Sequence, residues 1–258
     1  AGRTFRYSKD GRFLTEIGSG PGADAGQFTE PRFALAGKDG NIFVTDLKGD
    51  RPRLQVFDRQ GKLLRIFAEK GMQPGMILRG HGLAFSPEGL LYTTDVDNQR
   101  ICAFTQTGKF EFCWGKEGPN LGEFNAPHGL FLDANGDVFV NGYYGPTQKF
   151  TPDGHFLTAF AFGDPPASSV YYHPLTGDRW GNVYVTVRTK AGYNGALEPN
   201  AGKKVSIEKY NNNGDFICNL SLSVPEHTES WAAVDDDGTV YALFKGRTAS
   251  GVEIFRQQ

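Results

Sequence analysis

The chain has 258 residues, of which 39% are hydrophobic, 13% aromatic and 22% charged, and its formal net charge is -2. This length can bury a substantial core, in one large all-β domain or in two small domains. A balance of 27 basic and 29 acidic residues gives no electrostatic footprint for nucleic acid or an anionic membrane surface. No apolar run approaches the ~18 residues of a spanning helix. We therefore expect neither a nucleic-acid-binding nor a membrane-spanning protein.

The first residue, Ala1, is not a methionine. This favours a mature chain released from a signal peptide over a chain that was trimmed artificially. The three cysteines are too few for a disulfide scaffold and fit any compartment. The start of the chain therefore predicts an extracellular or periplasmic location.

One strand-forming segment recurs five times. Each copy has a turn glycine followed by β-branched and aromatic residues, a pattern typical of a strand. The copies are GNIFVTD (40–46), GLLYTTD (89–95), GDVFVNG (136–142), GNVYVTV (181–187) and GTVYALF (238–244). A segment that returns in this way indicates a repeat architecture.

Two further pieces complete each repeat. Hairpins with a turn glycine occur at YSKDGRFL (7–14), FDRQGKLL (57–64), FTQTGKFEF (104–112), FTPDGHFL (150–157) and YNNNGDFI (210–217). Linking segments occur at GQFTEPRFALA (26–36), RGHGLAF (79–85) and GEFNAPHGLFL (122–132). Each unit thus contains four strands, here called a, b, c and d, in about 48 residues, which is the pattern of a β-propeller blade.

Strand counting predicts one all-β propeller over residues 1–258 with five four-stranded antiparallel blades; six blades are the alternative. The last unit, 231–256, supplies strands a, b and c but no strand d. We expect residues 13–18 to supply it by pairing with residues 251–255, which closes the ring and hides two sheet edges. The spare strand at 3–8 could extend the sheet of a neighbouring subunit.

A disulfide is predicted within one hairpin. A two-residue turn at Thr107-Gly108 places Cys102 directly opposite Cys113. A one-residue bulge would make the two cysteines diagonal instead. Cys218 is unpaired in either case.

The units resemble the NHL repeat family, whose units carry G-Q-F-x-x-P-x-G, G-x-hydrophobic-V-x-D and N-x-R-V. The matching residues are Gly26-Gln27-Phe28 with Pro31, Gly122-Glu123-Phe124 with Pro127, Asp95, and Asn98 with Arg100. The resemblance covers essentially the whole chain and implies a β-propeller. It leaves the function open, because propellers host unrelated activities.

Functional residues of a propeller are expected where strands a begin and in the d–a and b–c loops, which gather on one face. Eight positions before the turn glycines stand Arg32, His81, His128, His173 and Ser230. We predict that the three histidines converge at one end of the channel. Converging imidazoles suit Zn²⁺ or another borderline divalent metal. The alternative is that this register reflects repeat ancestry alone.

The b–c loops on the same face carry a second set of candidates, namely Asp46, Asp95, Asp97, Tyr143, Tyr144 and Arg188. An Asp that follows strand b usually caps the turn by accepting backbone amides, which we expect for Asp46 and Asp95. The insertion at about 188–204 is either a lid or a tolerated surface excursion.

A closer resemblance joins residues 81–96 to the first zinc-histidine segment of the peptidyl-hydroxyglycine amidating lyases. That family carries Asp-Gly-Tyr, with a catalytic tyrosine, in its following blade, where this chain has Asn141-Gly142-Tyr143. The blade after that carries a second zinc histidine and an arginine, matched here by His173 and Arg188. The family has no counterpart of His128, and it takes a third histidine from a later blade that has no counterpart here.

Two functions follow. The first is a secreted or periplasmic propeller that acts as a binding and assembly module. It would bind a protein or small-molecule ligand through its loop-rich channel face, where Tyr143, Tyr144, Trp231 and Arg188 are of the types that dominate interfaces. The second is a metal-dependent lyase or hydrolase. In that case Tyr143 is the acid/base, and Arg188 or Arg32 holds a carboxylate.

Overall fold

The computed structural model describes residues 2–8, 10–47, 52–142, 145–161, 170–189, 206–221, 229–235, 237–245 and 250–256. At 170–174, 187–189, 206, 221, 229–231, 244–245 and 250–251 the description covers the backbone alone. These ranges contain strands, turns and bends and no helix. Accordingly, no helix in the described ranges could cross a membrane.

Each sequence repeat folds as one antiparallel sheet whose strands keep the order a, b, c, d. Blade one contains β3 (Pro31–Ala36), β4 (Ile42–Asp46), β5 (Arg53–Phe57) and β6 (Leu63–Phe67). Blade two contains β7 (Gly80–Phe85), β8 (Leu91–Asp95), β9 (Arg100–Phe104) and β10 (Phe110–Trp114). Blade three contains β11 (Pro127–Leu132), β12 (Val138–Gly142), β13 (Thr147–Phe150) and β14 (Phe156–Phe160).

The remaining strands form two more blades and a short ladder. Blade four contains β15 (Val170–Gly177), β16 (Val183–Thr189), β17 (Ser206–Tyr210) and β18 (Phe216–Ser221). Blade five contains β19 (Glu229–Val234), β20 (Val240–Lys245) and β21 (Ser250–Phe255), and the ladder pairs β1 (Thr4–Tyr7) with β2 (Phe13–Ile17). The predicted all-β fold with five propeller blades is therefore confirmed, with three strands described in blade five.

The pairing expected between residues 13–18 and 251–255 would join the two ends of the chain, and it stays a prediction. β2 pairs with β1, with Thr4 opposite Ile17, and β21 pairs with β20. A strand has two edges, so neither of these pairings competes with the expected one. A tight turn holds β1 and β2 together, because the Arg12 amide donates to Ser8 Oγ at 3.0 Å. Extension of a neighbouring subunit's sheet by β1 stays a prediction.

The chain divides into two compact units, residues 1–117 and 118–258. The first contains the ladder and blades one and two, and the second contains blades three to five. Inside each unit the strands a of successive blades pack side by side: β3 against β7, β11 against β15, and β15 against β19. A single domain over the whole chain stays a prediction.

The apolar core of each unit fills the space between successive sheets. Phe43 of blade one packs in one cluster with Leu91 and Phe104 of blade two. Its neighbours in β4, Ile42 and Val44, belong to a second cluster. Every residue of β4 is buried, because the sheet is covered on both faces. This explains why strands b read as nearly continuous apolar runs.

An acid–arginine pair anchors the d–a loop of blade two. Asp95 Oδ1 accepts the amides of Leu78 at 2.9 Å and Arg79 at 3.2 Å, and Asp95 Oδ2 accepts Arg100 Nε at 3.0 Å. The Arg100 guanidinium then donates to the carbonyls of Met72 and Met76 at 3.1 and 2.9 Å. We call this arrangement of an Asp ending strand b and an Arg beginning strand c the loop clamp.

Blade one repeats the loop clamp. Asp46 Oδ1 accepts the amides of Thr29 and Glu30 at 3.0 and 2.7 Å. Arg53 lies 3.7 Å from Asp46 Oδ2 and donates to the Gln27 carbonyl at 3.0 Å. The amides that Asp46 and Asp95 accept belong to the d–a loop, and not to the b–c turn for which the sequence predicted capping.

The predicted disulfide is present. Cys102 faces Cys113 directly across β9 and β10, with the Cα atoms 4.1 Å apart, and the two sulfurs are bonded. Cys218 is a free thiol. The bridge links the two outer strands of blade two.

The loop clamp can be tested by comparing two neighbouring acids. Asp95→Ala should lower the free energy of unfolding by about 3–5 kcal/mol, because it leaves a largely buried guanidinium and two amides without their acceptor. Asp97→Ala removes an exposed ion pair with Arg79 and should cost about 1 kcal/mol or less. Denaturant unfolding measures both, and equal losses would contradict the clamp.

The disulfide predicts a thiol count. Denatured, non-reduced protein should react with one equivalent of a thiol reagent, from Cys218, and reduced protein with three. The double variant Cys102→Ser/Cys113→Ser should lose about 2–3 kcal/mol of stability, since the bridge closes a loop with a sequence separation of 11. Three reactive thiols before reduction would contradict the bridge.

Candidate functional site

Four of the five strands a begin with a break in register. The irregularities lie at Pro31/Ala34, Gly80/Leu83, Pro127/Gly129 and Tyr172/Leu175. Each spans a residue singled out by the sequence, namely Arg32, His81, His128 and His173. We call this feature the strand-a bulge. A bulge redirects the side chain of its extra residue and often lies beside a functional site.

A polar side chain of strand b stabilises the strand-a bulge of the same blade. A bulge leaves a backbone amide without its ladder partner. Thr45 Oγ1 accepts such an amide from Phe33 at 3.1 Å, and Thr94 Oγ1 accepts one from Gly82 at 2.8 Å. In blade three Asn141 Oδ1 accepts the Gly129 amide at 3.0 Å. The bulge is therefore stabilised by a buried polar side chain.

Sequence reasoning missed these strand-b residues, although a signal exists. Each bulged blade has a buried polar residue in strand b, five positions after its turn glycine: Thr45, Thr94, Asn141 and Thr186, all at most 1% exposed. Blade five has Leu243 there, and its β19–β20 pairing is regular through Ser230. The polar residue thus marks the blades that carry a bulge.

His81 lies on β7 in the first unit. Its ring centroid is 5.6 Å from that of Phe33 in blade one, and its carbonyl accepts the Thr45 hydroxyl at 3.2 Å. Thr45 therefore holds the bulge of its own blade and the bulge of the next. The partly buried imidazole of His81 packs against an aromatic ring from the preceding blade.

His128 lies on β11 in the second unit and is 1% exposed. Its Nδ1 is 2.7 Å from the carbonyl oxygen of Ala126. A carbonyl can only accept, so Nδ1 carries the proton, and the neutral ring then has Nε2 as its unprotonated nitrogen. Metal-binding histidines are commonly oriented by such a bond from the other ring nitrogen.

The other predicted site residues are only partly described. Arg32 is half exposed and forms an ion pair with Glu30. His173 and Arg188 are described by backbone alone, and Arg188 faces Tyr171, two residues before His173. Tyr143 and Tyr144 lie outside the described residues, as does most of the insertion at 188–204. The structure thus brings His173 and Arg188 onto neighbouring strands.

Convergence of the three histidines stays a prediction. His81 belongs to the first unit, and His128 and His173 belong to the second. Within the described residues no group of three or more His, Cys, Asp or Glu side chains could hold a metal ion. The described geometry establishes the orientation of His128 and the equivalent bulge positions.

Blade three lacks the loop clamp. Val140 faces Gln148, and continuing this register places Gly142 opposite Pro146, where blades one and two have Asp and Arg. A Cβ at residue 142 would lie 2.6 Å from the carbonyl oxygen of Asn125. Glycine is therefore required here by the close approach of the d–a loop.

Comparison with curated proteins gives a partial match. The peptidylglycine alpha-amidating monooxygenase of Rattus norvegicus is 33% identical over 105 residues, which cover 36% of this chain and 11% of that protein. The Mus musculus protein gives the same identity over the same length and is covered to 10%. The chain thus spans about a tenth of these relatives. No family model matches, so membership of the NHL family stays a prediction.

Comparison with solved structures shows the fold. A streptogramin B lyase has a TM-score of 0.60 and 21% identity, covering 93% of this chain and 68% of its own. The virginiamycin B lyase of Staphylococcus aureus has a TM-score of 0.56 and 15% identity, with coverages of 88% and 70%. A gluconolactonase from Xanthomonas campestris has a TM-score of 0.50 and 20% identity, with coverages of 71% and 61%. The fold is one that lyases and lactonases share.

The orientation of His128 can be checked by NMR. Above the pH range in which an ordinary imidazole is protonated, the ¹⁵N spectrum of His128 should show a protonated Nδ1 and an unprotonated Nε2, because Ala126 accepts from Nδ1. A spectrum with the proton on Nε2 would contradict the bond to Ala126.

Proposed function

We propose that this propeller binds a small-molecule ligand on its loop-rich face and acts on it as a metal-dependent lyase or hydrolase. The observation that carries the proposal is the strand-a bulge, which holds a histidine at the same position in three successive blades. The partial match to the amidating monooxygenases supports it. So does the resemblance of residues 81–96 to the amidating lyases.

The donor set suits a zinc ion. His81, His128 and His173 offer three imidazoles, and three histidines with one open position form a common catalytic zinc site. The His128 ring is already oriented by its bond to Ala126, with Nε2 as the ligand nitrogen. A bound zinc ion would supply Lewis acidity, which polarises a substrate oxygen or lowers the pKa of a water molecule.

Three further residues are proposed to act on the substrate. Tyr143 follows the end of β12 and would serve as the acid/base. Arg188 would hold a substrate carboxylate, since its backbone lies beside the start of β15, near His173. Arg32 is the alternative for this role, although the Arg32 guanidinium already forms an ion pair with Glu30.

We also propose an extracellular or periplasmic location, on the basis of the disulfide. The Cys102–Cys113 bridge would persist in an oxidising compartment and would be reduced in most cytosols. The proposed enzyme would therefore act on a ligand outside the cytoplasm.

The metal can be tested by elemental analysis of the purified protein. We expect about one equivalent of zinc per chain, and a loss of metal affinity of about 100-fold or more in His81→Ala, His128→Ala and His173→Ala. His155→Ala is the control, because its side chain is 79% exposed in a c–d turn. Lyase activity toward a peptidyl α-hydroxyglycine should be lost together with the metal.

The alternative outcome separates the two functions. The proposed metal-dependent enzyme would be contradicted if the purified protein contained no metal and all four variants matched the parent chain in metal content and turnover. If such a protein still bound a ligand through its loop face, the binding and assembly module would be the function. Melting curves of the variants show whether any loss comes from unfolding.

A further inference from the structure

In blades one to three, one peptide group of the strand-a bulge is always bonded to strand b. It is the peptide group that links the candidate site residue to the next residue in the chain. The site residues are Arg32, His81 and His128, and the residues that follow them are Phe33, Gly82 and Gly129. The amides of these following residues donate to Thr45, Thr94 and Asn141, in that order. Each bulge is therefore held immediately after its site residue.

The peptide group after His81 is held from both sides. Its carbonyl oxygen accepts the Thr45 hydroxyl at 3.2 Å, and its N–H, which belongs to Gly82, donates to Thr94 Oγ1 at 2.8 Å. The C=O and the N–H of a planar trans peptide point in opposite directions, so the two hydroxyls approach it from opposite sides. Thr45 belongs to blade one and Thr94 to blade two. Two successive blades therefore fix the plane of this peptide group.

The Thr45 hydroxyl joins the two residues whose rings are in contact. It accepts the Phe33 amide at 3.1 Å and donates to the His81 carbonyl, which uses both capacities of a hydroxyl group. The ring centroids of Phe33 and His81 are 5.6 Å apart. Thr45 is 0% exposed, and hydrogen bonds in such surroundings are stronger than in water. One buried hydroxyl thus holds the backbones on both sides of this ring contact.

The methyl group of Thr45 has a separate contact. A Cβ placed on Gly80, the residue before His81, would lie 3.6 Å from Thr45 Cγ2. The methyl group therefore lies against the chain that leads into the bulge, while the hydroxyl bonds the peptide group that follows His81. Thr45→Ser removes the methyl group, and Thr45→Val removes the hydroxyl with little change of shape. The two contributions can therefore be measured separately.

We propose that Thr45 is a positioning residue for His81, with Thr94 as its partner on the other side of the same peptide group. Holding this peptide group fixes the backbone on the C-terminal side of His81, and with it the direction in which the imidazole leaves the chain. The consequence for metal binding rests on the proposed function, in which His81 is a zinc ligand. Groups that orient a metal ligand commonly change metal affinity by about 10–100-fold.

The first experiment needs no metal. In the metal-free full chain, nuclear Overhauser contacts between the ring protons of Phe33 and His81 report whether the two rings stay together. We expect these contacts in the parent chain and in Thr45→Ser. They should be lost in Thr45→Val, which bonds neither peptide group. Contacts that persist in a folded Thr45→Val variant would overturn the positioning role.

The second experiment measures zinc affinity by competition with a chromogenic chelator. Thr45→Val should bind zinc about tenfold more weakly than the parent chain, and Thr45→Ser should stay close to the parent value. Thr147→Val is the matched control. Thr147 is 0% exposed, and its Oγ1 has no hydrogen-bond partner within the described residues, so this variant removes a buried hydroxyl that bonds nothing. An equal loss in Thr45→Ser and Thr45→Val would overturn the role of the hydroxyl.

The two experiments separate this proposal from the proposed function. If the parent chain binds no zinc, the metal site is wrong, and the NMR comparison decides whether Thr45 directs the ring of His81. If the parent chain and Thr45→Val bind zinc equally, the metal site stands and the positioning role is wrong. Thr94→Val takes the place of Thr45→Val if the latter does not fold, because it removes the other bond to the same peptide group. Melting curves show which variants fold.

Discussion

In blades one to three, a backbone amide without a ladder partner arises where the first residues of strand a are out of register with strand b, and one buried polar side chain accepts it. In blades one and two a threonine hydroxyl does this, and in blade three an asparagine does. The positions of His81 and His128 depend on this bond, because they occupy the bulge that it stabilises. A β-branched apolar residue in place of Thr94 would favour a regular ladder, in which His81 would follow the ordinary alternation of strand side chains.

The sequence predicts the strands well because each repeat carries its own local signals. Turn glycines and apolar runs locate strands b and the hairpins, and the blade count follows from them. Closure by residues 13–18 cannot be predicted in the same way, since it depends on how the first and last strands of the chain are placed. No pattern within a single strand reports that placement.

The cysteine pair shows how a correct prediction can have a different structural basis. The sequence-based argument assumed a two-residue turn with an undisturbed register. In the structure Phe104 faces Phe110, and Glu111 is an extra residue before Cys113 meets Cys102. The wider turn and the bulge displace the register in opposite senses, so their effects cancel. The same bulge occurs in the c–d hairpins of blades one, three and four. The turn glycine of a hairpin locates the turn in the sequence but does not reveal the bulge. The histidine site is less predictable still, because it depends on how separate blades are placed.

The hydroxyl of Thr45 also links the folding of one blade to that of the next. It accepts from the Phe33 amide in its own blade and donates to the carbonyl of His81 in the next. The first bond needs only one hairpin, which forms in microseconds from residues close in the chain. The second requires a neighbour that has already reached its native register. Thr45 therefore couples the register of blade one to the register of blade two.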